Sequence, residues 1–157
     1  QDTLLLNNGH QYFKNCTIEG RVDFIYGSAT AVFDDCLIRT KGSSYITAAS
    51  TPHETPYGFV FRNCKIVSSD GTASYLGRPW RPYASVTFLD CYMDTHIAGG
   101  LAQLENEANE ATARYSEYKT TGPGANPDTR VPWSHQLTDD QAKHYTLENI
   151  FSGWHPF

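Results

Sequence analysis

Four stretches of the chain repeat one arrangement of apolar and polar positions. They are Tyr12-Phe13-Lys14-Asn15-Cys16-Thr17-Ile18, Val32-Phe33-Asp34-Asp35-Cys36-Leu37-Ile38, Val60-Phe61-Arg62-Asn63-Cys64-Lys65-Ile66 and Thr87-Phe88-Leu89-Asp90-Cys91-Tyr92-Met93. All follow the template Phe-x-(Asn/Asp)-Cys-x-(Ile/Met), with cysteines spaced 20, 28 and 27 residues apart, inside the period range of repeat architectures. Phe, Cys and Ile read as one face of a strand and the intervening polar residues as the other, so each copy predicts one short strand with its apolar side inward. Gly, Ser, Thr, Asn and Pro fill the segments between copies without helical periodicity, which excludes a leucine-rich horseshoe or an α-solenoid. The pattern predicts an all-β solenoid of stacked coils, a parallel β-helix, with equivalent side chains about 4.8 Å apart in interior ladders.

Beyond the fourth copy the pattern changes. Residues 98–113 are rich in Ala, Glu and Asn, and residues 115–132 contain Gly122-Pro123-Gly124 and Asn126-Pro127, which predicts a long irregular connection over the coil surface. Leu137-Thr138-Asp139-Asp140-Gln141-Ala142 places Thr at an N-cap and Gln at N3, so a short helix is expected to start near Asp139 and to cap the open end of the solenoid.

Composition narrows the class. Ten Tyr, eight Phe and three Trp in 157 residues are too many aromatics for a disordered polypeptide. Twelve basic against seventeen acidic residues give a formal charge of -5, and no basic stripe is present to track phosphates, so nucleic acid is not an expected partner. Apolar runs such as residues 3–6 and 59–61 fall far short of the roughly 20 residues that cross a bilayer, so no membrane partner is expected. The sequence starts at Gln1 without Met, charged n-region or apolar h-region, and reads as the remainder of something longer.

No C-x-x-C, H-E-x-x-H or H-x-H occurs, so neither a metal nor another cofactor is expected. Buried thiols behaving as small apolar residues account for the four cysteines. Cys16 and Cys36 fall in adjacent coils and form the one disulfide the spacing would allow in an oxidising compartment. Asn15-Cys16-Thr17 matches a glycosylation acceptor, but on an interior strand the match reads as coincidence.

Candidate chemistry sits in three segments. Gln1-Asp2-Thr3-Leu4 and Val22-Asp23-Phe24-Ile25-Tyr26-Gly27 place two aspartates 21 residues apart, about one coil, so the carboxylates are expected to stack. Close carboxylates push their pKa values apart, which suits a nucleophile beside an acid. Leu76-Gly77-Arg78-Pro79-Trp80-Arg81-Pro82 adds a guanidinium able to hold a carboxylate bidentately and a flat indole of the kind sugars pack on. Singly, each aspartate also reads as a ladder or turn residue, and Arg-Pro-Trp as packing.

Taken together, Gln1-Asp2-Thr3-Leu4, Asp23-Phe24-Ile25-Tyr26-Gly27 and Leu76-Gly77-Arg78-Pro79-Trp80 resemble the pectin methylesterases. Glu117-Tyr118, Gly122-Pro123-Gly124-Ala125 and Arg130-Val131-Pro132-Trp133 extend the resemblance over nearly the whole chain. It implies a right-handed parallel β-helix of which residues 1–157 are the C-terminal portion of a single domain, monomeric when complete. It implies a secreted enzyme, extracellular or periplasmic, that removes methyl esters from pectin, without a cofactor and with the polysaccharide as its partner. On the matching positions, Asp23 is the nucleophile, Asp2 the general acid and base, Gln1 an oxyanion donor and Arg78 the residue that orients Asp23. Trp80 would pack on a sugar ring, Tyr26 and Val22 would line the groove, and Arg81 would add local positive charge for the polyanion.

Two departures stand out. The family's upstream G-x-Y-x-E and Q-A-V-A-L segments, the latter with a second oxyanion glutamine, precede the point where this sequence starts. Leu101 and Leu104 fall where the family carries a tryptophan-bearing loop beside the groove. Two other readings therefore stand beside the esterase: a catalytically inactive pectin-binding β-helix, and a polysaccharide lyase or glycosidase on the same solenoid, which also uses paired acids.

Overall fold

Asn and Asp enter the left-handed backbone region more readily than other side chains do, and the repeat uses that property at equivalent corners. The computed structural model describes residues 1–97 and 107–157. The first coil holds β1 (Leu4–Leu5), β2 (His10–Lys14) and β3 (Thr17–Gly20). The second holds β4 (Ile25–Gly27), β5 (Thr30–Asp34) and β6 (Leu37–Thr40). The third holds β7 (Ser44–Ala49), β8 (Phe59–Arg62) and β9 (Lys65–Ser68), and the fourth β10 (Ser74–Pro79), β11 (Ser85–Leu89) and β12 (Tyr92–Met93). After helix α1 (Glu107–Glu110) come β13 (Arg114–Tyr118) and β14 (His135–Gln136), then α2 (Asp139–Ala142) and α3 (Leu147–Ile150).

Strands pair in parallel with their equivalents one coil away. The three resulting sheets have the orders β1-β4-β7-β10, β14-β13-β11-β8-β5-β2 and β12-β9-β6-β3. The chain is a parallel β-helix.

Each copy of the repeat is two strands and a corner, where one strand was expected. Phe and Cys are three residues apart, so an uninterrupted strand would point them to opposite faces. Asn15, Asp35, Asn63 and Asp90 adopt φ of 55, 53, 51 and 53°. That left-handed residue turns the chain and resets the alternation, so that Phe near the end of one strand and Cys just before the next both face inward. Phe13, Phe33, Phe61 and Phe88 stack with ring centroids 5.0, 4.6 and 4.7 Å apart and planes within 10°. Ile18, Ile38, Ile66 and Met93 continue the interior on the third sheet.

The cysteines are free thiols, as the buried-thiol reading has it, and the alternative Cys16–Cys36 bridge is not formed. Each buried thiol instead donates to the phenylalanine carbonyl of the preceding coil: Cys36 to Phe13 at 3.5 Å, Cys64 to Phe33 at 3.3 Å and Cys91 to Phe61 at 3.5 Å. The neighbouring Cys64 thiol, and then burial, push Cys36 well above the ordinary thiol range. Asn15 is exposed at its corner and does not lie on an interior strand, which removes the ground for reading its acceptor motif as coincidence.

The region expected as an irregular connection is partly strand. β13 extends the largest sheet, with Tyr115 and Glu117 pointing inward. Glu117 is buried because Arg130 folds back onto it, with Nε donating at 2.7 Å and Nη2 at 3.1 Å, while Gln136 donates at 3.0 Å. Burying a carboxylate requires such pairing. Leu101 and Leu104 lie outside the described residues.

The helix starting at Asp139 is present, with the Thr138–Gln141 capping box, but it does not cover the open end. The largest sheet is apolar on both faces: Ala31, Phe33, Phe59 and Phe61 point in, whereas Val32, Val60 and Leu89 point out. The C-terminal segment buries that outer row with Leu147, Ile150 and Phe151. It runs back from β14 to the first coil, where the Phe151 ring meets His10 at 5.5 Å and Tyr12 at 6.3 Å.

Candidate active site

The pairing of Leu4 with Ile25 and Leu5 with Tyr26 brings Asp2 and Asp23 into register on the two strands' approach. Both adopt φ of 53°. The Asp2 N–H donates to Val22 O at 3.0 Å and the Asp23 N–H to Tyr45 O at 2.7 Å. The two aspartates thus occupy the same position in adjacent coils, one strand spacing of about 4.8 Å apart, as the 21-residue separation predicts. Asp2 is exposed, whereas Asp23 is only 6% exposed.

A carboxylate so buried needs a partner, and Arg78 supplies it from two coils away. Nε donates to Oδ1 of Asp23 at 2.8 Å and Nη2 to Oδ2, a bidentate clasp. That hydrogen-bonded pairing with Asp23 holds the Arg78 guanidinium charged beyond its ordinary value, against the opposing effect of its own burial. In register, Tyr26, Ala48 and Arg78 follow one another on successive strands. The Ala48 methyl leaves room for the arginine to lie back across the coil, and its guanidinium carbon sits 5.0 Å from the centre of the Tyr45 ring. Gly77 lets the strand come this close: a Cβ there would lie 1.9 Å from Thr47 Oγ1.

Past Pro79 the chain turns outward. Trp80 is 45% exposed, with its ring 6.3 Å from that of Tyr26, so the two expected groove residues do meet. Arg81 does not reach the carboxylates and stacks on Trp80, 5.1 Å from the ring centre. Val22 contributes its carbonyl to Asp2, and Gln1 is exposed at the start of the chain beside it. Asn109 of α1 donates to Pro79 O at 3.2 Å and so fixes the Arg-Pro-Trp turn.

Asp2, Asp23 and Arg78 are the residues the sequence singles out, and the fold brings them together. Tyr45, Ala48 and Asn109 it does not single out. The register of β4 with β7 supplies the first two: Ile25 pairs with Thr47 and Tyr26 with Ala48, a step of 22 residues that carries the column of Asp2 and Asp23 on to Tyr45. Asn109 carries no such signal, because its loop lies outside the repeat.

Comparison with known proteins bears on family and fold. The profile of the pectinesterase family matches residues 1–153. Pectinesterase 31 of Arabidopsis thaliana is 43% identical over 149 residues, covering 92% of this chain and 47% of that protein. Among solved structures, pectin methylesterase from carrot superposes with a TM-score of 0.90 at 29% identity, over 98% of this chain and 53% of the other. A pectin methylesterase solved in complex with a hexasaccharide does so with a TM-score of 0.88 at 31% identity, over 100% of this chain and 55% of the other. The chain spans about half the length of the curated relatives it matches. With the family profile spanning almost every residue and a relative 43% identical over 92% of the chain's length, the chain belongs to the pectinesterase family.

Proposed function

We propose that the chain carries the catalytic face of an extracellular carboxylic ester hydrolase that removes methyl esters from pectin and releases methanol. The observation that carries this reading is the bidentate clasp of Arg78 on a nearly buried Asp23, one coil from an exposed Asp2. An aspartate held on both oxygens is fixed in direction, as a nucleophile must be. Asp23 attacks the ester carbonyl of a galacturonate unit, and the tetrahedral oxyanion accepts a hydrogen bond from Gln1. Asp2 gives its proton to the departing methanol, leaving an acyl group on Asp23. Asp2 then takes a proton from water, which attacks the acyl carbon and frees the galacturonate carboxylate and Asp23.

The aromatic surface suits a polysaccharide. Trp80 and Tyr26 present tilted rings at the end of the same strands, and sugars lay their C–H faces on such rings. The related pectin methylesterase bound to a hexasaccharide supports an oligomeric substrate in this groove. A chain of net charge -5 favours neutral, methylated stretches over de-esterified ones.

Methanol release from methyl-esterified pectin by the full-length protein tests the reading. Asp23→Asn is expected to lower kcat by about a thousandfold or more with the fold intact by circular dichroism. Methanol release by the variant at the parent rate would overturn it.

A further inference from the structure

Arg78 must travel two coils to reach Asp23, and a long side chain spanning that distance loses considerable rotamer freedom unless something fixes its path. Tyr45 touches both ends of the pair. Its carbonyl accepts the Asp23 N–H at 2.7 Å, and its ring lies 5.0 Å from the guanidinium carbon of Arg78. The ring is itself held: Tyr75, its register partner on the next strand, stacks on it at 5.4 Å with planes within 17°. Tyr45 also stands in the column of the two aspartates, one coil beyond Asp23, because Ile25 pairs with Thr47.

We propose that Tyr45, backed by Tyr75, is a positioning residue that holds the Arg78 guanidinium in its bidentate geometry on Asp23. The platform acts through Arg78 and makes no contact with the reacting atoms. A planar guanidinium lies well on an aromatic face, whereas an aliphatic side chain of similar volume gives it no preferred orientation. The proposed role asks for the ring face, which Phe would keep, and not for the hydroxyl. This role rests on the esterase reading only for its kinetic consequence; the holding of Arg78 is a property of the fold itself.

The test uses the full-length protein with Tyr45→Phe, Tyr45→Leu and Tyr45→Ala, Leu being included because it keeps a β-compatible apolar side chain should Ala unfold the coil. Two readouts are taken: methanol release, split into kcat and KM, and solvent exchange of the Arg78 Nε–H by 15N NMR. Tyr45→Leu is expected to lower kcat about tenfold or more with KM near the parent value, and to speed Nε–H exchange. Tyr45→Phe should restore both. Unchanged kcat and exchange in Tyr45→Leu would overturn the proposal, as would a change confined to KM, which would make Tyr45 a substrate contact. If the parent protein releases no methanol, the esterase reading falls, and the exchange measurement alone decides the role of Tyr45.

Discussion

Arg78 closes on Asp23 from two coils away, so that one guanidinium takes both oxygens of a nearly buried carboxylate. A lysine at this position offers a single point charge and cannot reproduce the planar fork. Arg78→Lys is therefore expected to behave more like Arg78→Ala than like the parent. Both should lose about a hundredfold in kcat through misdirection of the nucleophile, measured as initial rates of methanol release. Arg78→Ala, which strands Asp23 without a partner, should in addition unfold at lower urea, by about 1–3 kcal/mol. Parental activity in Arg78→Lys would show that charge alone is needed.

Glu117 and Arg130 form the most deeply buried ion pair among the described residues, with side chains 2% and 3% exposed. Removing either partner leaves a charge without compensation inside the last coil. Glu117→Ala and Arg130→Ala are each expected to cost about 3–5 kcal/mol in urea unfolding, and the double variant less than the sum of the two. Additive losses would mean that the two side chains stabilise the coil independently.

His96 is buried, and among the described residues neither ring nitrogen has a hydrogen-bond partner. Burial depresses its pKa below the ordinary 6.5, outweighing the opposing pull of Asp94 and Asp70. The unfolded chain then binds a proton more readily than the folded one as the pH falls below about 6.5, so folding stability is full above that value and declines beneath it. Melting temperatures measured from about pH 7.5 down to about pH 5.5 should fall more steeply for the parent than for His96→Gln. Parallel curves would rule out His96 as the source of that slope.

The repeat was legible because the interior ladders reuse one residue type at one position: four phenylalanines and four cysteines identify themselves as stacked without any knowledge of coil geometry. The corners were not, since whether Asn15 or Asp35 continues a strand or turns it depends on a single φ angle that Asn and Asp tolerate in either sense. The outer row of Val32, Val60 and Leu89 reads in sequence as ordinary strand alternation; only the tertiary return of Leu147 and Phe151 shows that it is a second buried face. At the site, Asp2, Asp23 and Arg78 announce themselves through their neighbours, Gln1, Phe24 and Pro79. Tyr45 and Ala48 do not, because their significance lies in the register that sets them between Asp23 and Arg78, and register follows from loop lengths that vary from coil to coil.

The return of the C-terminal segment to the first coil changes how the molecule comes apart. A solenoid in which each coil touches only its neighbours opens like a zipper, from whichever terminus is weaker. Here Phe151 rests on His10 and Tyr12, while the strand that launches the segment, His135–Gln136, is hydrogen-bonded to the far end of the same sheet. The segment acts as a hoop around the stack. Opening the coil of β2 loosens the same segment that packs on β13, so the coils it spans are coupled beyond their immediate neighbours and are lost together rather than one at a time.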